Sequence, residues 1–266
     1  MEIVTSKDGT SIAYGRSGSG PPVILVGGAT ADHTGHQPLA EELAGSFTVL
    51  NHDRRGRGGS TDTLPYAVAR EIEDIEALIT EAGGSAHLYG ISSGGALALE
   101  AAAAGIGIDR LAVYEVPYNM SDDAPRLQRE YVEKLETLLD EGRRGDAAEL
   151  FMRTVGTPEE MIESAKRSPY WANLEAIAPT LAYDAACLGD AHPPTDRLAT
   201  ISVPTLVATG GASPDSFLGG GGSFFEEVAD ALVAVIPHAE RQTIEGQTHM
   251  VDPKVLGPVL ERFFRD

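Results

Sequence analysis

Apolar and polar positions follow two distinct patterns along the chain. Short continuous apolar runs at 23–26 and 86–89 predict strands that are buried on both faces of a sheet. Over 66–81, apolar residues recur every three or four positions against acidic ones, which predicts an amphipathic helix. The same patterns predict strands at 3–5, 11–16, 47–51, 111–114, 204–209 and 239–244, and helices at 37–44, 224–235 and 253–264. This alternation indicates an α/β protein with a mostly parallel central sheet flanked by helices.

Between residues 118 and 197 the pattern changes to helices without strands. Apolar residues recur at helical spacing over 127–139 and 146–155, and two more helices are predicted, one from residue 158 and one over 171–188. We therefore expect a core formed by residues 1–117 and 198–266, and an all-helical cap formed by residues 118–197. The glycine run at 219–222 is interpreted as a flexible connector.

The strand at 86–89 leads through Gly90-Ile91-Ser92-Ser93-Gly94 into an Ala/Leu-rich segment with helical spacing. A strand, a sharp Gly-x-Ser-x-Gly turn and a helix are the context in which a serine becomes an exposed nucleophile. Gly90 and Gly94 lack Cβ atoms and so allow close packing around the turn. Ser92 is therefore the candidate nucleophile, and the amide of Ser93 begins a helix whose N-terminus favours negative charge.

Composition limits the classes of partner. The 266 residues are 42% hydrophobic and carry a formal net charge of −20, which disfavours nucleic acid and anionic membranes as partners. The single cysteine, Cys187, excludes an internal disulfide and a cysteine-based metal cluster, and it favours a cytoplasmic location. The sequence predicts neither a signal peptide nor a membrane span, and we expect a small-molecule substrate. The oligomeric state is not predicted.

The charged turn at 53–60 is interpreted as a salt-bridged structural loop, and a Gly-x-x-His turn at 246–249 precedes the last helix. The order of elements, the turn at Ser92 and these two motifs together resemble the α/β-hydrolase superfamily from about residue 22 onward. The resemblance implies that His249 is the general base for Ser92 and that the amides of Ala29 and Ser93 form an oxyanion hole. The loop at 27–29 reads Gly-Gly-Ala, without the histidine common in that family.

The acidic member of the site has two candidates. Many relatives carry Asp in a Gly-x-x-Asp pattern after the penultimate strand, whereas this chain has Ser213 at that position. Glu115 ends the strand that follows the helix after Ser92, at the position of the acid in some haloalkane dehalogenases. A buried carboxylate there needs a partner such as an imidazole. Asp215, two residues beyond Ser213, is the alternative. Glu115 is the preferred candidate.

A serine nucleophile implies acyl transfer through an acyl-enzyme, with no cofactor or metal. The expected substrates are esters, lactones, thioesters or β-diketone-like C–C bonds of small, mostly apolar molecules. Candidate substrate-binding residues are His33, Tyr118 and Trp171. Two alternatives remain open: a ligand-binding or signalling protein with little turnover, motivated by the departures at Gly27 and Ser213, and a cofactor-free perhydrolase.

Overall fold

The central element of the fold is an eight-stranded sheet. The computed structural model describes residues 1–211 and 221–266. The strands are β1 (Glu2–Thr5), β2 (Ser11–Gly18), β3 (Pro22–Val26), β4 (Thr48–His52), β5 (Ala86–Ile91), β6 (Ile108–Tyr114), β7 (Thr205–Gly211) and β8 (Ala239–Glu245). They lie in the order β1-β2-β4-β3-β5-β6-β7-β8. The pairs β1–β2 and β2–β4 are antiparallel, and the others are parallel.

Helices cover both faces of this sheet and make up the insertion between β6 and β7, which is the predicted cap. In the described part of the chain they are α1 (His33–Leu43), α2 (Val68–Glu81), α3 (Ser93–Ala103), α4 (Ala124–Asp140), α5 (Arg144–Thr154), α6 (Glu159–Lys166), α7 (Trp171–Ile177), α8 (Leu181–Leu188), α9 (Thr195–Leu198), α10 (Gly221–Val235) and α11 (Pro253–Arg265). Among the residues described, no helix combines the length and apolar composition that crossing a bilayer requires. The predicted α/β-hydrolase fold with a helical insertion is confirmed.

Strand β3 shows why the core forms on both sides of the sheet. Its side chains alternate between the two faces, as the geometry of a strand requires. Ile24 and Val26 pack into one buried cluster with residues of α2, α3 and α10. Val23 and Leu25 pack into the other cluster, with residues of α1 and α11. Burial on both faces explains the continuous apolar run in the sequence.

Two predictions about elements were wrong, and one helix was not predicted. The segment 171–188 is two helices, α7 and α8, joined by a 3₁₀ turn at Ala178–Thr180, because Pro179 has no N–H to continue the α-helical pattern. Residues 221–222 of the predicted glycine connector open α10, and residues 219–220 lie outside the described residues. Helix α9 was not predicted and spans the expected cap boundary at residue 197. The division into core and cap stays a prediction.

Candidate active site

Ser92 lies in a strained turn between β5 and α3. Its backbone has φ 56° and ψ −132°, a conformation that non-glycine residues rarely adopt. Its N–H donates to the carbonyl of Tyr114 at 3.0 Å, which ties the turn to the end of β6. A Cβ at Gly90 would lie 2.5 Å from the carbonyl oxygen of Gly94. The two glycines of the motif therefore allow the strand and the helix to meet closely behind Ser92.

Glu115 follows β6 directly and contacts His249. Its carboxylate Oε2 lies 2.8 Å from Nδ1 of His249, and Oε1 accepts from the N–H of Gly210 at 2.8 Å. The Glu115 side chain is 4% exposed and its backbone has φ 46°. Its own N–H donates to the carbonyl of Ala208 at 3.1 Å, so neighbouring strand β7 holds this residue at both ends. The alternative acid, Asp215, lies outside the described residues.

His249 is held in the loop between β8 and α11. The hydroxyl of Tyr114 donates to the carbonyl of Thr248 at 2.6 Å, which links this loop to the end of β6. The ring of Phe225, on the first turns of α10, stacks on the imidazole with centroids 5.3 Å apart and planes at 14°. The carboxyl ends of β5, β6 and β8 thus present Ser92, Glu115 and His249 at the same edge of the sheet, where parallel α/β sheets place their sites.

The loop after β3 approaches Ser92 closely. A Cβ at Gly28 would lie 2.9 Å from Cβ of Ser92, so only glycine fits there without displacement. The guanidinium of Arg57 donates to the carbonyls of Gly28 at 2.6 Å and Ala31 at 3.2 Å. Ala29, one of the expected oxyanion residues, packs against an apolar cluster of cap residues. The loop after β3 therefore lies between the turn at Ser92, the charged turn at 53–60 and the cap.

A buried ion network underlies this loop. Arg54 pairs with Glu71 of α2 at 2.7 Å and with Asp184 of α8 at 2.6 Å, and Arg57 pairs with Asp184 at 2.7 Å. Burial alone would raise the pKa of Asp184, but Arg57 and Arg54 outweigh it and hold that pKa below its usual value. Burial would likewise raise the pKa of Glu71, but the Arg54 guanidinium holds that pKa below its usual value. Two buried cations are thus balanced by two buried carboxylates.

The third arginine of the charged turn belongs to a separate ion pair. Arg55 donates to both carboxylate oxygens of Asp74, at 2.8 and 2.7 Å, and to Asp8 at 2.9 Å. Its side chain is fully buried. The prediction that the turn at 53–60 is a salt-bridged structural loop is confirmed, although the sequence did not identify the partner carboxylates.

The predicted substrate-binding residues occupy different environments. His33 is 28% exposed, and its Nδ1 lies 2.8 Å from Oδ1 of Asp53. Tyr118 is fully buried in the same core cluster as Cys187, so in this conformation it presents no surface to a substrate. Trp171 is partly buried beside Gly145, between α7 and α5. Their role in substrate binding stays a prediction.

Asp32, His33 and Asp53 form a group whose ligand atoms lie within 4.8 Å of one another. The carboxylate of Asp53 is fully buried and accepts from the backbone N–H groups of His33 at 2.7 Å and Gly59 at 2.8 Å. Asp32 caps α1 by accepting from the N–H of Thr34 at 2.9 Å. Both carboxylates thus already fix backbone in the loops around the site.

Comparisons with known proteins identify the family of the chain. Residues 23–255 match the model of the alpha/beta hydrolase family, so the chain belongs to that family. An alpha/beta hydrolase from Sphaerobacter thermophilus is 50% identical in sequence, with a TM-score of 0.89, and the match covers 99% of this chain and 100% of that one. The family predicted from the sequence is confirmed.

More distant relatives carry more specific names. An enol-lactonase from Burkholderia xenovorans is 20% identical, with a TM-score of 0.73 over the whole of both chains. A thermophilic esterase from Thermogutta terrifontis is 23% identical, with a TM-score of 0.69 over 99% of this chain and 97% of that one. At this identity they show the shared fold alone. The hydrolase YraK of Bacillus subtilis is 32% identical over 96 residues, which is 35% of either protein.

Proposed function

We propose that the protein is a serine hydrolase that cleaves an ester, lactone or similar acyl bond of a small, mostly apolar molecule. The observation that carries the proposal is the 2.8 Å contact between Glu115 and His249 at the sheet edge where the strained turn exposes Ser92. A buried carboxylate that orients an imidazole beside a serine elbow is the arrangement that activates a hydroxyl nucleophile. Membership of the alpha/beta hydrolase family supports a hydrolytic reaction.

The reaction follows from the roles of these groups. His249 takes the proton of the Ser92 hydroxyl through Nε2 as Oγ attacks the substrate carbonyl, and the Nδ1–H donates to Glu115. The amides of Ala29 and Ser93 stabilise the oxyanion of the tetrahedral intermediate. The C–O bond then breaks, the leaving alkoxide takes the proton from His249, and the acyl group stays on Ser92. Water, deprotonated by His249, repeats the sequence and releases the carboxylic acid.

The preference for an apolar acyl group rests on the surroundings of Ala29. That residue packs against a buried apolar cluster of cap residues, Leu135, Ala147, Ala178 and Leu181, on which Tyr131 and Phe151 also pack. Phe225 adds an aromatic ring at the face of His249. Apolar side chains around a few precisely placed polar groups are typical of sites for small apolar ligands.

The test combines active-site labelling with turnover. The purified protein is treated with a fluorophosphonate probe, and peptide mapping locates the modified residue. We expect labelling at Ser92 that is abolished in His249→Ala and preserved in His238→Ala, whose histidine side chain is exposed. Hydrolysis of p-nitrophenyl butyrate should disappear in Ser92→Ala and persist in Ser85→Ala, which alters an exposed serine. Equal rates for wild type and Ser92→Ala would contradict the proposal, and ligand binding without turnover would favour a binding protein.

A further inference from the structure

The cap contributes a charged residue to the base of the site. Asp184 of α8 is 4% exposed, and its Oδ1 accepts from the hydroxyl of Ser93 at 2.8 Å. The same carboxylate pairs with Arg54 and Arg57. One cap side chain therefore contacts both the residue that follows the nucleophile and the arginine that holds the loop after β3.

The contact to Arg57 bears directly on the amide of Ala29. The carbonyl of Gly28 and the N–H of Ala29 belong to one planar trans peptide unit and point in opposite directions. The orientation of the Arg57 guanidinium is fixed, because this planar group also donates to Asp184 at 2.7 Å and to the hydroxyl of Thr180 at 3.0 Å. The 2.6 Å bond from Arg57 to the Gly28 carbonyl thus aims the N–H of Ala29 away from the buried network.

The contact to Ser93 bears on the second amide. Ser93 is the first residue of α3, and the first N–H groups of a helix have no partner within the helix. Its hydroxyl is fixed on Asp184, and its side chain is almost completely buried. The Ser93 backbone is therefore anchored from the cap side while Ser92, one residue earlier, keeps its strained conformation.

We propose that Arg57 and Asp184 are positioning residues for the oxyanion hole, so that the cap takes part in stabilising the tetrahedral intermediate through Asp184. The inference rests on the proposed function, since it assigns the geometry of the Ala29 and Ser93 amides to this pair. It also means that the site is complete only while α8 is seated on the core.

Neighbouring Arg55 provides a matched control. It lies two residues from Arg57 in the same turn and is equally buried, but it hydrogen-bonds to Asp74, Asp8 and the carbonyl of Arg70 rather than to the loop after β3. The variants Arg57→Gln and Asp184→Asn are compared with Arg55→Gln and Asp74→Asn. Each variant removes one partner of a buried ion pair, so the general cost to folding is of the same kind.

The experiment measures kcat and KM on p-nitrophenyl butyrate, Tm, and the affinity of a boronic acid that forms a tetrahedral adduct with the serine. Loss of one oxyanion donor lowers turnover by about 10²–10³, and we expect Arg57→Gln and Asp184→Asn to lower kcat in that range. Because the donors act on the tetrahedral state, KM should change by less than about threefold. Affinity for the boronic acid should fall in parallel with kcat, relative to Arg55→Gln.

A second variant guards against loss of folding. Ser93→Ala removes only the hydrogen bond to Asp184 and leaves every charge in the network paired. Because the Ser93 backbone loses its anchor on the cap side, we expect kcat and boronic acid affinity to fall by about tenfold, less than the loss of a whole oxyanion donor. If Ser93→Ala and the Arg57 and Asp184 variants follow the control variants, while the wild type still shows Ser92-dependent turnover, the inference is wrong and the proposed function stands. Absence of Ser92-dependent turnover in the wild type would overturn both.

Discussion

The substitution Glu115→Gln tests the central geometry of the proposed site. The two carboxylate oxygens have different partners, the N–H of Gly210 and Nδ1 of His249, each at 2.8 Å. An amide has only one acceptor oxygen. If that oxygen stays on Gly210, the amide nitrogen donates to Nδ1 of His249 and forces the ring proton onto Nε2. His249 then cannot accept the proton of Ser92.

The opposite orientation of the amide is also unfavourable. It would place the NH₂ group against the N–H of Gly210, leaving two donors facing each other at a side chain that is 4% exposed. In a serine protease triad the same acid-to-amide change lowers kcat by about 10⁴ through the wrong tautomer. At about 1.36 kcal/mol per tenfold change, this corresponds to about 5 kcal/mol of lost transition-state stabilisation.

The assay is steady-state hydrolysis of p-nitrophenyl butyrate together with the rate of labelling by the fluorophosphonate probe. Both rates should fall by about 10³–10⁴ in Glu115→Gln, with KM little changed. Glu100→Gln is the control, because it removes a glutamate paired with Arg197 and does not touch His249. If Glu115→Gln keeps more than about a tenth of the wild-type kcat, a loss far below that of a triad acid, the reasoning is refuted. A steep loss in Asp215→Asn instead would assign the role to Asp215.

Two other predictions follow from the structure. Gly28→Ala places a methyl group 2.9 Å from Cβ of Ser92. It should lower kcat by about 10², the cost of a displacement of about 1 Å at a reacting group. Gly45→Ala meets no atom within 4 Å and should leave kcat unchanged, so equal kcat for the two variants would contradict the close approach. Burial lowers the pKa of His52 to about 4, so this residue stays neutral in the fold while its unfolded form gains a proton below pH 6.5. Stability should therefore fall by up to about 3 kcal/mol between pH 6.5 and 4, measured by urea unfolding, and the same slope in His52→Gln would contradict this.

The fold could be predicted because local patterns carry it. Continuous apolar runs such as Pro22–Val26 report burial on two faces, and the turn around Ser92 reports a strand followed by a helix. The order of these elements along the chain sets the parallel sheet. The placement of candidate site residues at strand ends follows from the same rule, since the carboxyl ends of parallel strands share one edge.

The long-range contacts could not be predicted in this way. Arg57 and Asp184 are 127 positions apart, and no local pattern pairs an arginine in a turn with an acid in a cap helix. The sequence also does not show which way Tyr118 faces. This aromatic residue at the start of the cap packs inward, in the same buried cluster as Cys187. Phe225 had no distinguishing signal, since its stacking on His249 depends on where α10 begins.

Backbone strain joins the separate parts of the site. Among the described residues, the non-glycine positions with positive φ include Thr30 at 59°, Ser92 at 56° and Glu115 at 46°, which follow β3, β5 and β6. Such conformations cost about 1–3 kcal/mol each and persist only where surrounding contacts determine them. Tyr114 holds Ser92 through a 3.0 Å hydrogen bond, and strand β7 holds Glu115. Arg57 donates to the carbonyls of Gly28 and Ala31, which lie on either side of Thr30. The buried ion network therefore stabilises the strained backbone of Thr30 as well as the loop that carries Ala29.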